Sequence, residues 1–240
     1  MTQPHGRTLL IDADDTLWEN NIFFEKAVKE FTGLMIGKEL MAHKIEGLLR
    51  HREMENVKHY GYGSESLYRT MLDVYHEACR EEGQAVEKPV LARIEELREM
   101  TGNYRIILLE GVGEALPLLR SANRLILVTK GHEKEQMGKV TRSGLQHYFH
   151  AVRVVEEKHP GTYLQLLEEF NLHADTTWMV GNSPRSDINP AKAAGMGTVL
   201  IPYHSTWVHE LEEISTEGRE TIVINRFDGL LEYFGSQERS

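Results

Sequence analysis

The sequence predicts an α/β protein: a three-layer, doubly wound parallel sheet with an α-helical bundle inserted after its first strand. Two observations support this fold class. Short apolar runs alternate with amphipathic helical patterns from about residue 106 onward, and such alternation is typical of parallel sheets with right-handed crossovers. Residues 19–105, in contrast, show helical patterns and no strong strand. A chain of 240 residues has room for both parts.

The predicted sheet contains six strands, each a short buried apolar run. They cover residues 8–11, 125–128, 151–155, 177–180, 198–201 and 221–224. Helical patterns lie between them at residues 114–122, 133–143, 162–170 and 189–194.

The inserted region predicts four amphipathic helices joined by short loops, which form a small bundle. The first ends near Gly37, and the second runs from about Leu40 to Tyr60. We expect Ser64 to cap the third helix, which stops at Gly83. Pro89 suits the first turn of the fourth.

Composition excludes several classes of protein. A net charge of −10 argues against nucleic acid or an anionic membrane as the main partner. Cys79 is the single cysteine, so an internal disulfide is excluded. Residues 1–7 are polar, and no apolar run approaches membrane-spanning length. We therefore expect a soluble, cytoplasmic protein.

The first predicted strand runs directly into three carboxylates, Asp12, Asp14 and Asp15. Side chains at i and i+2 of an extended chain share a face, so Asp12 and Asp14 can address one substrate. One can act as nucleophile while the other transfers a proton. Carboxylates this close also call for a cation, and oxygen ligands suit magnesium. The alternative is an Asp-rich turn that only closes the strand.

Polar side chains follow the next strands as well. Thr129 and Lys130 come after the second, residues 156–158 after the third and residues 182–187 after the fourth. Ligands of open parallel sheets bind beyond the carboxyl ends of the strands. Together these residues supply the nucleophile, cation ligands and donors that phosphoryl transfer requires.

The order and placement of these residues resemble the haloacid dehalogenase (HAD) superfamily along essentially the whole chain. The resemblance rests on four motifs: Asp12-x-Asp14-x-Thr16, Thr129 after an apolar strand, Lys158-x-Pro160, and Gly181-Asn182-Ser183-x-x-x-Asp187. It implies a HAD-like core of residues 1–17 and 106–240, and an α-helical cap of the C1 type at residues 18–105.

The resemblance also implies a role for each motif residue in a phosphatase. Asp12 would form an aspartyl-phosphate, and Asp14 would act as acid and then as base. Thr129 and Lys158 would complete the catalytic group by binding the phosphate. Mg²⁺ would sit on Asp12, the Asp14 carbonyl and two groups of the fourth motif, Asn182 and Asp187.

Two positions depart from the family pattern. Asn182 stands where an aspartate is usual. We therefore expect weaker magnesium affinity, or a larger contribution of Asp187 to magnesium binding. Lys130 stands where an asparagine often follows the threonine. It is either a solvated lysine or an extra contact to an anionic substrate.

Asp14 favours a phosphatase over a dehalogenase. Halide leaves carbon without a proton, whereas an alkoxide leaving group needs one. A phosphomutase shares the motifs and stays open, as does an inactive metal- or ligand-binding module.

The expected substrate is a small phosphorylated metabolite such as phosphoglycolate, a sugar phosphate or a nucleoside monophosphate. Candidate substrate contacts are Thr16, Trp18, Tyr62, Thr129 and Lys130, the two aromatic residues favouring a planar group. Either a monomer or a homodimer fits the sequence.

Overall fold

The computed structural model describes residues 6–40 and 44–236. The start of the predicted second helix at residues 41–43, and the N-terminal residues 1–5, lie outside this part. The chain divides into two compact units. The core unit comprises residues up to Asn21 and from Ile106 onward, and the helical unit comprises Ile22–Arg105.

The core unit is built on a six-stranded parallel sheet in the order β3-β2-β1-β4-β5-β6. The strands are β1 Thr8–Ile11, β2 Arg124–Lys130, β3 Ala151–Val155, β4 Thr177–Gly181, β5 Gly197–Leu200 and β6 Ile222–Val223. The sixth strand is shorter than the predicted 221–224. The strand order reverses between β1 and β4, which is where open α/β sheets bind ligands.

Helices cover both faces of this sheet, so the predicted three-layer architecture is confirmed. They are α5 Val112–Ala122, α6 Glu133–Ser143, α7 Pro160–Glu169, α8 Asn189–Ala193 and α9 Leu230–Phe234. Alternating side chains of β1 divide the core: Leu9 and Ile11 pack in the cluster with α5, α6 and α9. Leu10 packs in the other cluster, with α7 and α8.

The helical unit contains helices α1–α4, which share one apolar core. The helices are α1 Asn21–Gly37, α2 Ile45–Tyr60, α3 Ser64–Glu81 and α4 Lys88–Gly102. Phe31, Met71, Tyr75 and Ile94 are fully buried or nearly so in this core. An amphipathic helix is stabilised mainly by packing of this kind.

Two local features of the structure differ from what the sequence indicates. Ser64 is the first residue of α3 and not its cap, because Gly63 takes the capping position with a φ of 129°. Glycine adopts that backbone conformation without steric cost. A single π-helical segment, Pro184–Ile188, precedes α8 and was not anticipated. Among the described residues, no helix is both long and apolar enough to cross a membrane.

Candidate active site

The residues that follow β1, β3 and β4 meet at one edge of the sheet. The Asp12 backbone N–H donates to the Val180 carbonyl at 2.9 Å, which ties the end of β1 to the end of β4. Lys158, three residues beyond β3, reaches the same place from the other side of β1. The side chains of this site all belong to the core unit; the candidate substrate contact Tyr62 does not.

A buried ammonium joins two buried carboxylates at the centre of the site. Lys158 Nζ lies 2.5 Å from Asp12 Oδ1 and 2.7 Å from Asp187 Oδ1. Burial opposes the charge on Lys158, but Asp12 and Asp187 outweigh it and hold the pKa of the ammonium well above its ordinary value. The lysine is therefore a fixed positive charge beside both acids.

The Asp12 carboxyl is only partly neutralised by this arrangement. Burial raises its pKa to about 7, and Asp187 adds to that rise, while Lys158 counteracts it. One ammonium balances one carboxylate, and two carboxylates are present. The excess of acid favours a further cation at this edge of the sheet.

The Asp187 carboxylate is positioned by a hydrogen bond within its own loop and by the space that Gly181 leaves free. Its Oδ2 accepts the Ser183 backbone N–H at 3.0 Å. A Cβ placed on Gly181 would lie 2.1 Å from the same oxygen, so only glycine leaves room for the carboxylate here. The π-helical segment directs this side chain back against the strand end.

Thr16 connects the first motif to the fourth. Its hydroxyl lies 3.0 Å from Asp12 Oδ2 and 3.3 Å from Asn182 Oδ1, and can donate to either oxygen. Thr16 is fully buried, so the prediction that it contacts substrate is not supported. It orients the nucleophile candidate instead.

The donors gathered here match what magnesium requires. Across residues 6–40 and 44–236, no three His, Cys, Asp or Glu side chains form a ready-made metal cluster. The set is mixed: carboxylates of Asp12 and Asp187 with the amide oxygen of Asn182. These are hard oxygen donors, and one or two carboxylates are usual for Mg²⁺. The residues present therefore fit this ion.

The Asp14 carboxylate has a separate group of partners. Trp18 Nε1 donates to Asp14 Oδ1 at 2.7 Å. Gln136 Nε2 and Lys139 Nζ donate to Asp14 Oδ2 at 3.0 and 2.8 Å. Thr129 joins the same group, since its hydroxyl donates to Gln136 Oε1 at 3.3 Å.

Trp18 was predicted to contact substrate, and its position contradicts this. The residue is completely buried and offers no surface to a ligand. Its ring packs in the sheet core, while its one polar atom serves Asp14. Sequence alone could not separate a pocket aromatic from a core aromatic with a buried indole donor.

Gln136 and Lys139 belong to the site although no sequence motif contains them. Both lie on α6, three positions apart, so they share one face of that helix. The signal was available: α6 begins shortly after β2, the strand that carries Thr129 and ends at Lys130. A buried lysine on such a helix is unusual unless a carboxylate faces it.

Lys130 is occupied by a neighbouring acid. Its Nζ lies 2.5 Å from Glu210 Oε1 and 2.8 Å from Ser186 Oγ. The predicted substrate contact is not supported, because the ammonium is already paired and largely buried. Lys130 joins the loop after β5 to the fourth motif.

Asp15 anchors the beginning of α1. Its Oδ1 accepts the backbone N–H groups of Asn20 and Asn21 at 2.8 and 3.0 Å. The residue has a φ of 61°, a conformation that aspartate tolerates better than most residues. Burial raises the pKa of Asp15 to about 8. Its contacts point to a structural role.

Tyr62 belongs to the helical unit, where it lies in the turn between α2 and α3 and is half-buried. Its contact with substrate stays a prediction.

Comparison with known proteins gives three findings. A family model of haloacid dehalogenase-like hydrolases matches residues 7–195. Glyceraldehyde 3-phosphate phosphatase of Methanopyrus kandleri is 26% identical over 201 residues, which cover 81% of this chain and 83% of that protein. A haloacid dehalogenase-like family hydrolase from Xanthomonas campestris is 26% identical, with a TM-score of 0.80 over 97% of this chain and 93% of that chain.

A more distant structure shows only a shared fold. The 2-haloacid dehalogenase of Pseudomonas syringae is 18% identical, with a TM-score of 0.58 over 94% of this chain and 96% of that chain. The family model, in contrast, spans most of the sequence and all four motifs. The chain belongs to the haloacid dehalogenase-like hydrolase family.

Proposed function

We propose that this protein is a magnesium-dependent phosphomonoesterase that hydrolyses a small phosphorylated metabolite through an aspartyl-phosphate. The proposal rests chiefly on one observation. Asp12 and Asp14 lie next to each other at the end of β1, yet each has its own partners: Lys158 holds Asp12, and Lys139 holds Asp14. Two carboxylates in different environments can take the two roles of nucleophile and proton carrier.

The first half-reaction moves the phosphoryl group to the protein. An Asp12 oxygen attacks phosphorus, the new O–P bond forms, and the bond from phosphorus to the substrate oxygen breaks. Asp14 gives that leaving oxygen a proton, and an alcohol departs. Lys158 stays beside Asp12 and balances charge on the phosphoryl oxygens.

The second half-reaction releases phosphate. Asp14, now ionised, takes a proton from water as the water oxygen attacks phosphorus. The O–P bond to Asp12 breaks, and both the carboxylate and the original protonation state of Asp14 are restored. Thr129 is the proposed donor to phosphate. The residue is 1% exposed and its hydroxyl donates to Gln136 Oε1 at 3.3 Å, so the hydroxyl would have to turn from Gln136 toward the phosphate.

Mg²⁺ would be held by Asp12, the Asp14 main-chain carbonyl, Asn182 and Asp187. When bound, it supplies positive charge that offsets the negative charge of the phosphoryl group. Uncatalysed phosphate-monoester hydrolysis is among the slowest reactions known, with enzymatic accelerations of up to about 10²¹-fold. Lys158 alone would have to serve two carboxylates and a phosphate, which supports the presence of the ion.

The substrate is proposed from the relatives. Glyceraldehyde 3-phosphate is the compound named for the Methanopyrus kandleri phosphatase, so it heads the candidates. Phosphoglycolate, sugar phosphates and nucleoside monophosphates follow.

The test is phosphate release from these compounds and from an aryl phosphate by the purified chain, with magnesium or with chelator. We expect turnover only with magnesium, and none with Asp12→Asn. The matched control is Asp175→Asn, which removes an exposed acid and should retain full activity. Turnover that survives Asp12→Asn would overturn the proposal. Halide release from a 2-haloacid without phosphate release would instead favour a dehalogenase.

A further inference from the structure

Lys139 is a buried lysine outside the four family motifs. Its side chain is 1% exposed, and its Nζ lies 2.8 Å from Asp14 Oδ2 and 2.8 Å from Asn20 Oδ1. Glu135 Oε1 lies 3.8 Å away on the same helix. Taking an ammonium out of water is unfavourable unless several acceptors compensate, and these three acceptors surround it.

The lysine is one of three donors that converge on the Asp14 carboxylate. Trp18 Nε1 takes one oxygen, while Gln136 Nε2 and Lys139 Nζ share the other. The three donors come from buried side chains, while the Asp14 side chain remains 20% exposed. The carboxylate is therefore held by the protein and still accessible to solvent. Donors on both oxygens leave a terminal carboxylate little freedom to rotate.

We propose that Lys139 is a positioning residue that, with Trp18 and Gln136, holds the Asp14 carboxylate in the orientation for proton transfer. The inference rests on the proposed function. The three donors have different roles. Lys139 contributes a charged hydrogen bond, which is stronger than a neutral one, and Trp18 and Gln136 fix the plane of the carboxylate. A displacement of about 1 Å at such a group costs about 100-fold in rate.

A purely structural role for Lys139 makes a different prediction. In that case the ion pair only fastens α6 to the loop after β1, and its loss lowers stability and active-site integrity without a preference for one chemical step. A positioning role affects only the steps in which Asp14 transfers a proton. The two roles separate when the leaving group needs no proton.

An aryl phosphate gives this separation. Nitrophenyl phosphate releases nitrophenolate, which leaves without being protonated, so phosphorylation of Asp12 proceeds even when Asp14 is misplaced. Hydrolysis of the aspartyl-phosphate still requires Asp14 as base. For Lys139→Met we expect a rapid burst of about one nitrophenolate per active site, followed by turnover about 10–100-fold below wild type, with KM for an alkyl phosphate nearly unchanged. With the alkyl phosphate, kcat should fall without a burst.

Three further variants complete the test. Lys139→Arg should recover part of the rate, because it restores a charged donor. Trp18→Phe keeps the buried ring and removes only the Nε1 donor, so it should show the same burst with a smaller loss of rate. It also carries the test by itself if Lys139→Met does not fold. Lys192→Met is the matched control: Lys192 is also buried and donates to the Ser215 carbonyl at 2.7 Å, away from Asp14. It should lose stability without a burst.

The outcomes are distinct. Wild-type turnover in folded Lys139→Met, or a lower rate without a burst in both Lys139→Met and Trp18→Phe, would overturn the inference while wild-type phosphatase activity stands. An inactive wild type would overturn the proposed function and this inference with it.

Discussion

Gly181 and Asp187 are in such close contact that a methyl group on the glycine would lie 2.1 Å from Asp187 Oδ2. The relationship explains why a glycine ends β4 at this position. The Asp187 carboxylate fills the volume that any other side chain would occupy, and in that place it meets Lys158 Nζ at 2.7 Å. The strand end and the loop beyond it are therefore one steric unit.

Gly181→Ala should consequently displace Asp187 and disable the site. We expect kcat/KM to fall by about 100-fold, from displacement of a ligand and ion-pair partner, and stability to fall by about 1–3 kcal/mol from overpacking. Steady-state kinetics and urea unfolding measure the two effects. Gly113→Ala is the control, because a Cβ there meets nothing within 4 Å. It lies in α5, where alanine is the better helix former, so a comparable loss in this control would contradict the steric explanation.

Protons should compete with magnesium for Asp12. Burial raises the pKa of this carboxyl from 3.8 to about 7. Below that pH the group is mainly protonated, and the proton must leave before a cation binds. The apparent Mg²⁺ affinity should therefore fall about tenfold for each pH unit below about 7, and level off above it. Calorimetric titrations between about pH 5.5 and pH 8 measure this slope.

Asp12→Asn is the control for the pH effect, because it removes the titrating group. Its magnesium binding should be weak and should lose most of this slope. If the wild-type affinity is equal at about pH 6 and about pH 8, the metal does not bind at the Asp12 carboxylate.

The amide at position 182 should limit magnesium affinity. Asn182 Oδ1 already lies near Asp12, with the Thr16 hydroxyl 3.3 Å from it. Asn182→Asp would add a negative charge among the same donors, so we expect Mg²⁺ to bind about tenfold more tightly. The metal-free variant should also be less stable, because a third carboxylate joins Asp12 and Asp187 around one ammonium.

Calorimetry and thermal unfolding with and without magnesium check both effects. Asn225→Asp adds the same charge at an exposed position and should change neither quantity. Unchanged affinity in Asn182→Asp would show that residue 182 is not a ligand.

The sequence was sufficient to predict the α/β fold and the meeting of motifs, for a simple physical reason. Parallel strands end at one edge of the sheet, so Asp12, Lys158, Asn182 and Asp187 had to approach one another once the strands were correctly assigned. The ion pairs of Lys158 with Asp12 and Asp187 followed from the opposite charges of these side chains.

The orientation of individual side chains was less accessible. Trp18 and Thr16 lie close to the motif aspartates in sequence, yet both side chains are buried in the core. From there Thr16 donates to Asp12, and Trp18 donates to Asp14. Burial of this kind depends on residues far along the chain. The Lys130–Glu210 pair shows the same limit, since its members are 80 positions apart in the sequence.

Glu210 provides a last prediction, because its charge links the loop after β5 to the fourth motif. Burial would raise the pKa of this carboxyl, but Lys130, and the hydroxyls of Ser183 and Ser186, outweigh burial and lower it below 4.5. A lowered folded-state pKa contributes stability above the unfolded value, and the contribution is lost as the pH falls through the folded-state pKa. Glu210→Gln should therefore destabilise the protein by about 1.5–3 kcal/mol at about pH 7.

The pH dependence distinguishes this ion pair from packing. As the pH falls below 4.5, the unfolded chain takes up a proton at this glutamate before the folded protein does. The advantage of the wild-type carboxylate over glutamine should therefore diminish, whereas a packing defect would persist. Urea unfolding at about pH 7 and about pH 4 measures the difference, and the exposed Glu232→Gln should be neutral at both. In Glu210→Gln, Lys130 loses its nearer carboxylate partner and keeps Glu157 at 3.5 Å. A simultaneous fall in KM for an anionic substrate would show that Glu210 had kept this lysine from the substrate.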